Sequence, residues 1–285
     1  MGQELTAQAP LARKTLAEAD DVLGFALSEI CFTGPAEELK RTSVAQPALV
    51  AISTAYWRVL TARGFTCAVV AGHSLGEYSA LVAAGALTFP DALRLVRTRG
   101  LLMETAAAEQ PGGMAAVIGL EDDDVRALCA EVAEAHGTLT PANFNAPGQV
   151  VVSGETAAIT ALRAAVKERG AKAIPLAVSG PFHSPLMRPA AEAFMEALGR
   201  VSIVAPTLPI VQNVTAEATR DPAMIRTALE RQITGAVQWV RSVYTMRDMG
   251  MQRFVEIGPG NVLSGLVQRT APESAIVPVN DLLAE

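Results

Sequence analysis

The chain has 285 residues, half of them apolar, with a formal net charge of −6 and a mean hydropathy of +0.29. That length holds one large domain or two ordinary ones, with enough apolar residues for a substantial core. No apolar stretch reaches ~18 residues without a charge, glycine or polar break, so no membrane span is expected. No basic stripe offsets the acidic balance, so nucleic acid is not an expected partner.

The first twenty residues, "MGQELTAQAPLARKTLAEAD", have no apolar run of the signal-peptide type. Cys31, Cys67 and Cys129 are odd in number and widely spaced. They form neither a metal-ligand pair nor a disulfide framework, which points to a reducing cytoplasm and to three small buried hydrophobes. Residues 1 to about 110 alternate helix-like stretches with an apolar strand at Cys67–Ala71. That strand runs into Gly72-His73-Ser74-Leu75-Gly76 and then an Ala-rich helical pattern. Farther on, "DALRLVRTRGLLMETA" places Leu95, Val96, Leu102 and Met103 at −4, −3, +3 and +4 from Arg99. Those positions share one helix face, so Arg99 interrupts an apolar stripe.

Residues 112–179 read differently. A strand at Gly113–Gly119 is followed by a helix at 121–136 with acidic residues at its start, as the helix dipole favours. Strands follow around Leu139–Asn143 and Val150–Ser153, with "NAPGQ" as the turn between them. A helix ending at Gly170 and a strand in "AKAIPLAVS" complete the order β-α-β-β-α-β, the signature of a ferredoxin-like unit. We read 112–179 as a small domain inserted into a larger one made of 1–111 and 180–285. In the closing part, "QRFVEIGPGN" ends a strand before the helix "VLSGLVQRT".

A Gly-x-Ser-x-Gly turn between strand and helix is a nucleophile elbow. Its glycines allow close approach of strand and helix, and its serine is exposed. The Leu75 N–H, at a helix N-terminus, then points toward a developing oxyanion. The plain alternative is a hydroxyl in an ordinary turn; the flanking strand and helix favour the nucleophile. A serine needs a base, and the chain has three histidines. His73 adjoins Ser74 and should point away from it. His136 ends a helix before Gly137, where a histidine is usually solvated. His183, in "VSGPFHSPLMRPA", sits at the junction leaving the small domain, where clefts form, and is the base by elimination. The alternative for His183 is a packed or capping side chain. Arg99 needs an anion. That anion is either an internal Asp or Glu or a substrate carboxylate held by a bidentate fork, and the activated serine tips the reading to the substrate.

These residues together resemble the malonyl-CoA:acyl carrier protein transacylases and the related acyltransferase domains of polyketide synthases. The similarity runs through "GPAEELKRTSVAQPALVA", "AGHSLGEYSALVAAGAL", "RTRGLLMETA", "GGMAAVIGL", "NAPGQVVVSG", "SGPFHSPLMRPA", "RQITGAVQW" and "EIGPGNVLSGL", in order along nearly the whole chain. It implies an α/β fold: an α/β-hydrolase-like large domain with a parallel sheet, and the ferredoxin-like insert. It implies Ser74 as the acylated serine, His183 as the base and Arg99 as the binder of a free malonyl carboxylate. By the same carry-over, the Gln232 backbone carbonyl orients the histidine, Gln46 lines the site, and Phe182 crowds an α-methyl branch. The implied reaction takes malonyl from malonyl-CoA to the phosphopantetheine thiol of an acyl carrier protein, with no metal or redox cofactor, in a monomer.

Relatives of this kind open with a strand and a Gly-Gln-Gly loop whose glutamine N–H is a second oxyanion donor. Met1-Gly2-Gln3-Glu4-Leu5 resembles the segment after that loop. The expectation is a start site upstream of Met1, or else a sheet short of one strand and an oxyanion hole short of one donor. Two rival readings share the elbow: a serine hydrolase or thioesterase, and a non-catalytic scaffold that binds acyl carrier protein.

Overall fold

The longer strands of this chain gather in one antiparallel sheet, and the others are two or three residues long. The computed structural model describes residues 1–284. Nine strands lie at Val70–Ala71 (β1), Gly112–Ile118 (β2), Leu139–Ala146 (β3), Gln149–Glu155 (β4), Lys172–Pro175 (β5), Ile210–Val211 (β6), Ala218–Thr219 (β7), Arg253–Val255 (β8) and Ala275–Val277 (β9). With the many helices between them they make a mixed α/β molecule. The strands form three sheets, ordered β1-β6-β7, β3-β4-β2-β5 and β8-β9.

The four-stranded sheet is antiparallel throughout. Its two connecting helices, Asp122–His136 and Thr156–Glu168, bury Val125, Leu128, Leu162 and Val166 against Phe144, Val150 and Val152. β2 and β4 are buried on both faces, with Ala115, Val117, Val150 and Val152 toward the helices and Met114, Ala116 and Val151 in a second small cluster, so they read as short apolar runs, while the helices keep an apolar stripe. Two boundaries differ from expectation. Of "NAPGQ" only Pro147-Gly148 lies outside the strands, and β5 stops at Pro175, with one more backbone bond to β2 from Leu176 N–H to Met114 O at 2.9 Å.

The larger body was expected to hold one parallel sheet. It holds two separate parallel pairs, β1 with β6 and β8 with β9. Between them lies a cavity of about 930 Å³, with Cys67–Gly72 among the residues on one wall and Arg253–Gly258 on another. Only Val70–Ala71 of the expected 67–71 strand is paired, with Ile210–Val211. Cys67 is accordingly half-buried, whereas Cys31 and Cys129 are buried as expected.

Helices Thr42–Ala62 and Phe89–Glu109 pack closely beside these strands. Thr88 caps the second helix, its hydroxyl accepting from the Asp91 N–H at 3.2 Å. At their crossing, a Cβ on Gly100 would come within 2.6 Å of Ser43 Cα, so the close approach needs glycine. That approach sets Gln46 of one helix beside Arg99 of the other.

Candidate active site

β1 carries the chain to the elbow. A Cβ on Gly72 would lie 2.0 Å from the Gly76 backbone, whereas one on Gly76 would meet nothing within 4 Å. The sequence reading required both glycines for close approach; the geometry requires only the first. Ser74 sits at φ 50°, a left-handed conformation costing roughly 1–2 kcal/mol for a side-chain-bearing residue. Its N–H donates to Asn213 Oδ1 at 2.6 Å. Among the described residues the Leu75 N–H, just ahead of the helix Gly76–Ala83, has no backbone partner. It is thus free to donate to a developing oxyanion.

His183 also has a positive φ, 57°, and is 4% exposed. Its Nε2 lies 2.7 Å from Ser74 Oγ. Its Nδ1 faces two backbone carbonyls, Gln232 O at 2.9 Å and Gly235 O at 3.1 Å. Carbonyls only accept, so Nδ1 carries the proton and the bare Nε2 accepts from the serine hydroxyl. Burial and the nearby Arg99 charge push the His183 pKa down to about 3, which keeps the ring neutral and able to take a proton. His73 turns away: its Nε2 lies 2.7 Å from Asn145 Oδ1 and its ring rests on Trp239. His136 is exposed at its helix end.

Arg99 is 1% exposed. Its guanidinium donates to Gln46 Oε1 at 2.8 Å, Gln232 Oε1 at 3.1 Å and Ser74 Oγ at 3.3 Å. Two amides and a hydroxyl orient the charge without neutralising it, and no carboxylate pairs with it directly among the described residues. The nearest acid is Glu77, which bonds to Gln232 Nε2 at 2.5 Å. Burial pushes the Glu77 carboxyl up to about 7. Gln232 also donates to Ser74 O at 3.0 Å, so one buried glutamine touches the serine backbone, the arginine and, through its own carbonyl, the histidine.

Ser74, His183, Arg99, Gln46 and Gln232 therefore converge. Phe182 is half-buried and packs between the main core and a small cluster of Met114, Ala116, Ala142 and Val151. The basic residues Arg163, Lys167, Arg169 and Lys172 are all exposed, with Arg169 paired to Glu131 at 3.1 Å. Sequence reasoning missed Glu77, Asn213 and Gly235. Glu77 had a signal, as the lone acid in "GHSLGEYSALVAAGAL"; Asn213 had a weaker one, a polar pair closing the apolar run Leu208–Val211. Among the described residues no three His, Cys, Asp or Glu side chains gather into a metal-holding group, and no helix is long and apolar enough to cross a membrane.

Residues 1–284 match the family model described as the acyl transferase domain. The chain is 47% identical over 268 residues to the malonyl CoA-acyl carrier protein transacylase of Salmonella typhimurium, covering 93% of this chain and 86% of that one. It superposes on the structure of the malonyl CoA-acyl carrier protein transacylase of Coxiella burnetii with a TM-score of 0.96 at 37% identity, over 100% of this chain and 91% of that one. It matches equally well, at 42% identity and a TM-score of 0.96 over 100% and 93% of the chains, a malonyl-transacylase solved in complex with its type II PKS acyl-carrier protein.

Proposed function

The chain belongs to the acyl transferase domain family, and from that premise we propose that it moves a malonyl group from malonyl-CoA to the phosphopantetheine thiol of an acyl carrier protein. The observation that carries this reading is Arg99, a buried guanidinium 3.3 Å from Ser74 Oγ with only neutral partners. An uncompensated buried cation beside a nucleophile calls for an anionic acyl group.

The steps follow from the contacts. His183 Nε2 takes the Ser74 proton while its Nδ1–H stays bonded to the Gln232 and Gly235 carbonyls. Ser74 attacks the thioester carbonyl, whose developing oxyanion meets the Leu75 N–H and the positive end of the following helix. The tetrahedral intermediate collapses, His183 returns its proton to the departing CoA sulfur, and a malonyl-serine remains. The carrier thiol then attacks that ester, with His183 again accepting and returning a proton. Arg99 holds the malonyl carboxylate through both halves, with Gln46 and Gln232 fixing the guanidinium plane. Phe182, next to His183 in the chain, walls the acyl pocket on the side of the base.

Neither rival is favoured. A serine hydrolase would normally place a carboxylate on His183 Nδ1, where this chain has two carbonyls. A scaffold would not need a serine and a neutral histidine held at 2.7 Å. The β3-β4-β2-β5 order with two helices on one side supports a ferredoxin-like insert at 112–179, and β1, its elbow and the following helix support an α/β-hydrolase-like body in 1–111 and 180–285. A cytoplasmic setting fits both the free cysteines and the CoA substrate.

Steady-state kinetics of Arg99→Ala on malonyl-CoA and acetyl-CoA test the reading. Truncating one partner of a buried charge pair costs about 2–5 kcal/mol, so malonyl kcat/KM should fall at least about thirtyfold. The acetyl value should hold or rise. Equal losses on both thioesters would make Arg99 a purely structural cation.

A further inference from the structure

We propose that Asn213 is the positioning residue of the nucleophile: its side-chain amide clamps the elbow backbone on both sides of His73 and thereby aims Ser74 Oγ at His183. The inference rests on Ser74 being the nucleophile.

The sheet delivers Asn213 to this place. β1 and β6 run parallel with Val70 opposite Ile210 and Ala71 opposite Val211. Two residues further along each strand, His73 comes level with Asn213. The backbone ladder has ended there, because one chain turns into the elbow. A primary amide carries a donor and an acceptor, as a peptide group does. Asn213 Nδ2 donates to Gly72 O at 2.6 Å, and Asn213 Oδ1 accepts from Ser74 N–H at 2.6 Å. The side chain thus continues the ladder where no strand can.

The clamp is itself immobilised. Asn213 is 1% exposed. Its carbonyl accepts from Gln238 N–H at 2.8 Å, and its N–H lies 3.4 Å from Glu77 Oε1. Glu77 in turn holds Gln232, whose carbonyl anchors His183. One buried network therefore fixes both ends of the Ser74–His183 hydrogen bond. Ser74 at φ 50° sits in a sparsely populated region for a residue with a Cβ, and a return to the broad β or right-handed α region would re-aim its Oγ relative to Nε2. Asn213 opposes that change by holding the Ser74 N–H. The same contact turns that N–H away from the reacting side and leaves the Leu75 N–H for the oxyanion.

The test uses Asn213→Ala and Asn213→Asp in the full chain. Alanine removes both bonds; ionised aspartate keeps the acceptor for Ser74 and loses the donor to Gly72. Three readouts are taken per folded molecule: the rate constant for Ser74 labelling by a fluorophosphonate, kcat and KM for malonyl-CoA, and Tm. A misplacement near 1 Å costs on the order of 10²-fold, so alanine should lower the labelling rate constant and kcat together by about that factor, with KM for malonyl-CoA little changed. Aspartate should fall between alanine and wild type. Labelling and kcat within about threefold of wild type in the folded variants, whatever happens to Tm, would overturn the proposal. If the alanine variant does not fold, the aspartate variant decides by the same criterion. Wild-type protein that labels at Ser74 but transfers no malonyl would refute the proposed function alone, and the labelling arm would still judge Asn213. No labelling of wild type would refute both.

Discussion

The small antiparallel sheet and the region around Ser74 are built on opposite terms. In the first, β2 and β4 pair over seven residues, and two amphipathic helices cover an apolar face. Backbone ladders and side-chain burial do the holding. In the second, β1 and β6 pair over two residues. Beyond them the backbone is held by two buried side-chain amides and one carboxylate, Asn213, Gln232 and Glu77. The two are tied by backbone bonds between Phe144 N–H and Val237 O and between Val237 N–H and Ala142 O, both 2.9 Å, and by His73 on Asn145. A ladder specifies shape and tolerates local change. A polar network specifies atom positions and does not, because each unpaired buried group is costly.

The sharpest way to break that contrast is at the elbow glycines. Gly72→Ala drives a Cβ to 2.0 Å from the Gly76 backbone, and the shift it forces should lower kcat on the order of 10²-fold or more. Gly76→Ala meets open space and replaces a glycine at a helix start, so Tm should hold or rise and activity survive, with a gain up to about 0.5–1 kcal/mol. Equal losses from both would show that close approach is not the reason for the glycine.

In the small sheet the expected effect is on stability alone. Leu128 is 1% exposed in that core. Leu128→Ala should cost about 2–5 kcal/mol in denaturant unfolding, while kcat/KM per folded molecule stays at the wild-type value. A fall in kcat/KM in fully folded variant would mean that the small sheet reaches the site through Asn145 and His73.

The smallest effect concerns the seam between the two regions, where Phe182 packs against both cores. Excluding one methyl group is worth only ~1–3 kcal/mol, or about 10–200-fold. Phe182→Ser should therefore narrow the malonyl over methylmalonyl preference within that range, with a modest loss on malonyl. An unchanged ratio together with a lowered Tm would return Phe182 to core packing.

The same contrast decides what was readable in the sequence. The order of the small sheet's elements was legible, since apolar runs, helical stripes and turn residues are local signals, although β3 runs three residues past its expected end and β5 stops at Pro175. The elbow and its serine were legible as a spacing between two local elements. Arg99 was legible because a charge on an apolar stripe is a visible contradiction, although its amide partners were not: Gln46 and Gln232 came from resemblance alone. Asn213 stayed hidden because its role depends on a strand register between positions 70 and 210, which no local pattern encodes. The split of the expected parallel sheet was hidden for the same reason, as pairing partners are a property of the fold.

In the proposed reaction Ser74 carries malonyl and gives it to a carrier thiol. Intact-protein mass spectrometry after mixing with malonyl-CoA, followed by peptide mapping and a chase with holo acyl carrier protein, reads both steps. The expected result is a single malonyl adduct on Ser74, persistent in buffer, discharged by the carrier and absent from Ser74→Ala. No adduct, an adduct on another residue, or one lost to water as fast as to the carrier would contradict it.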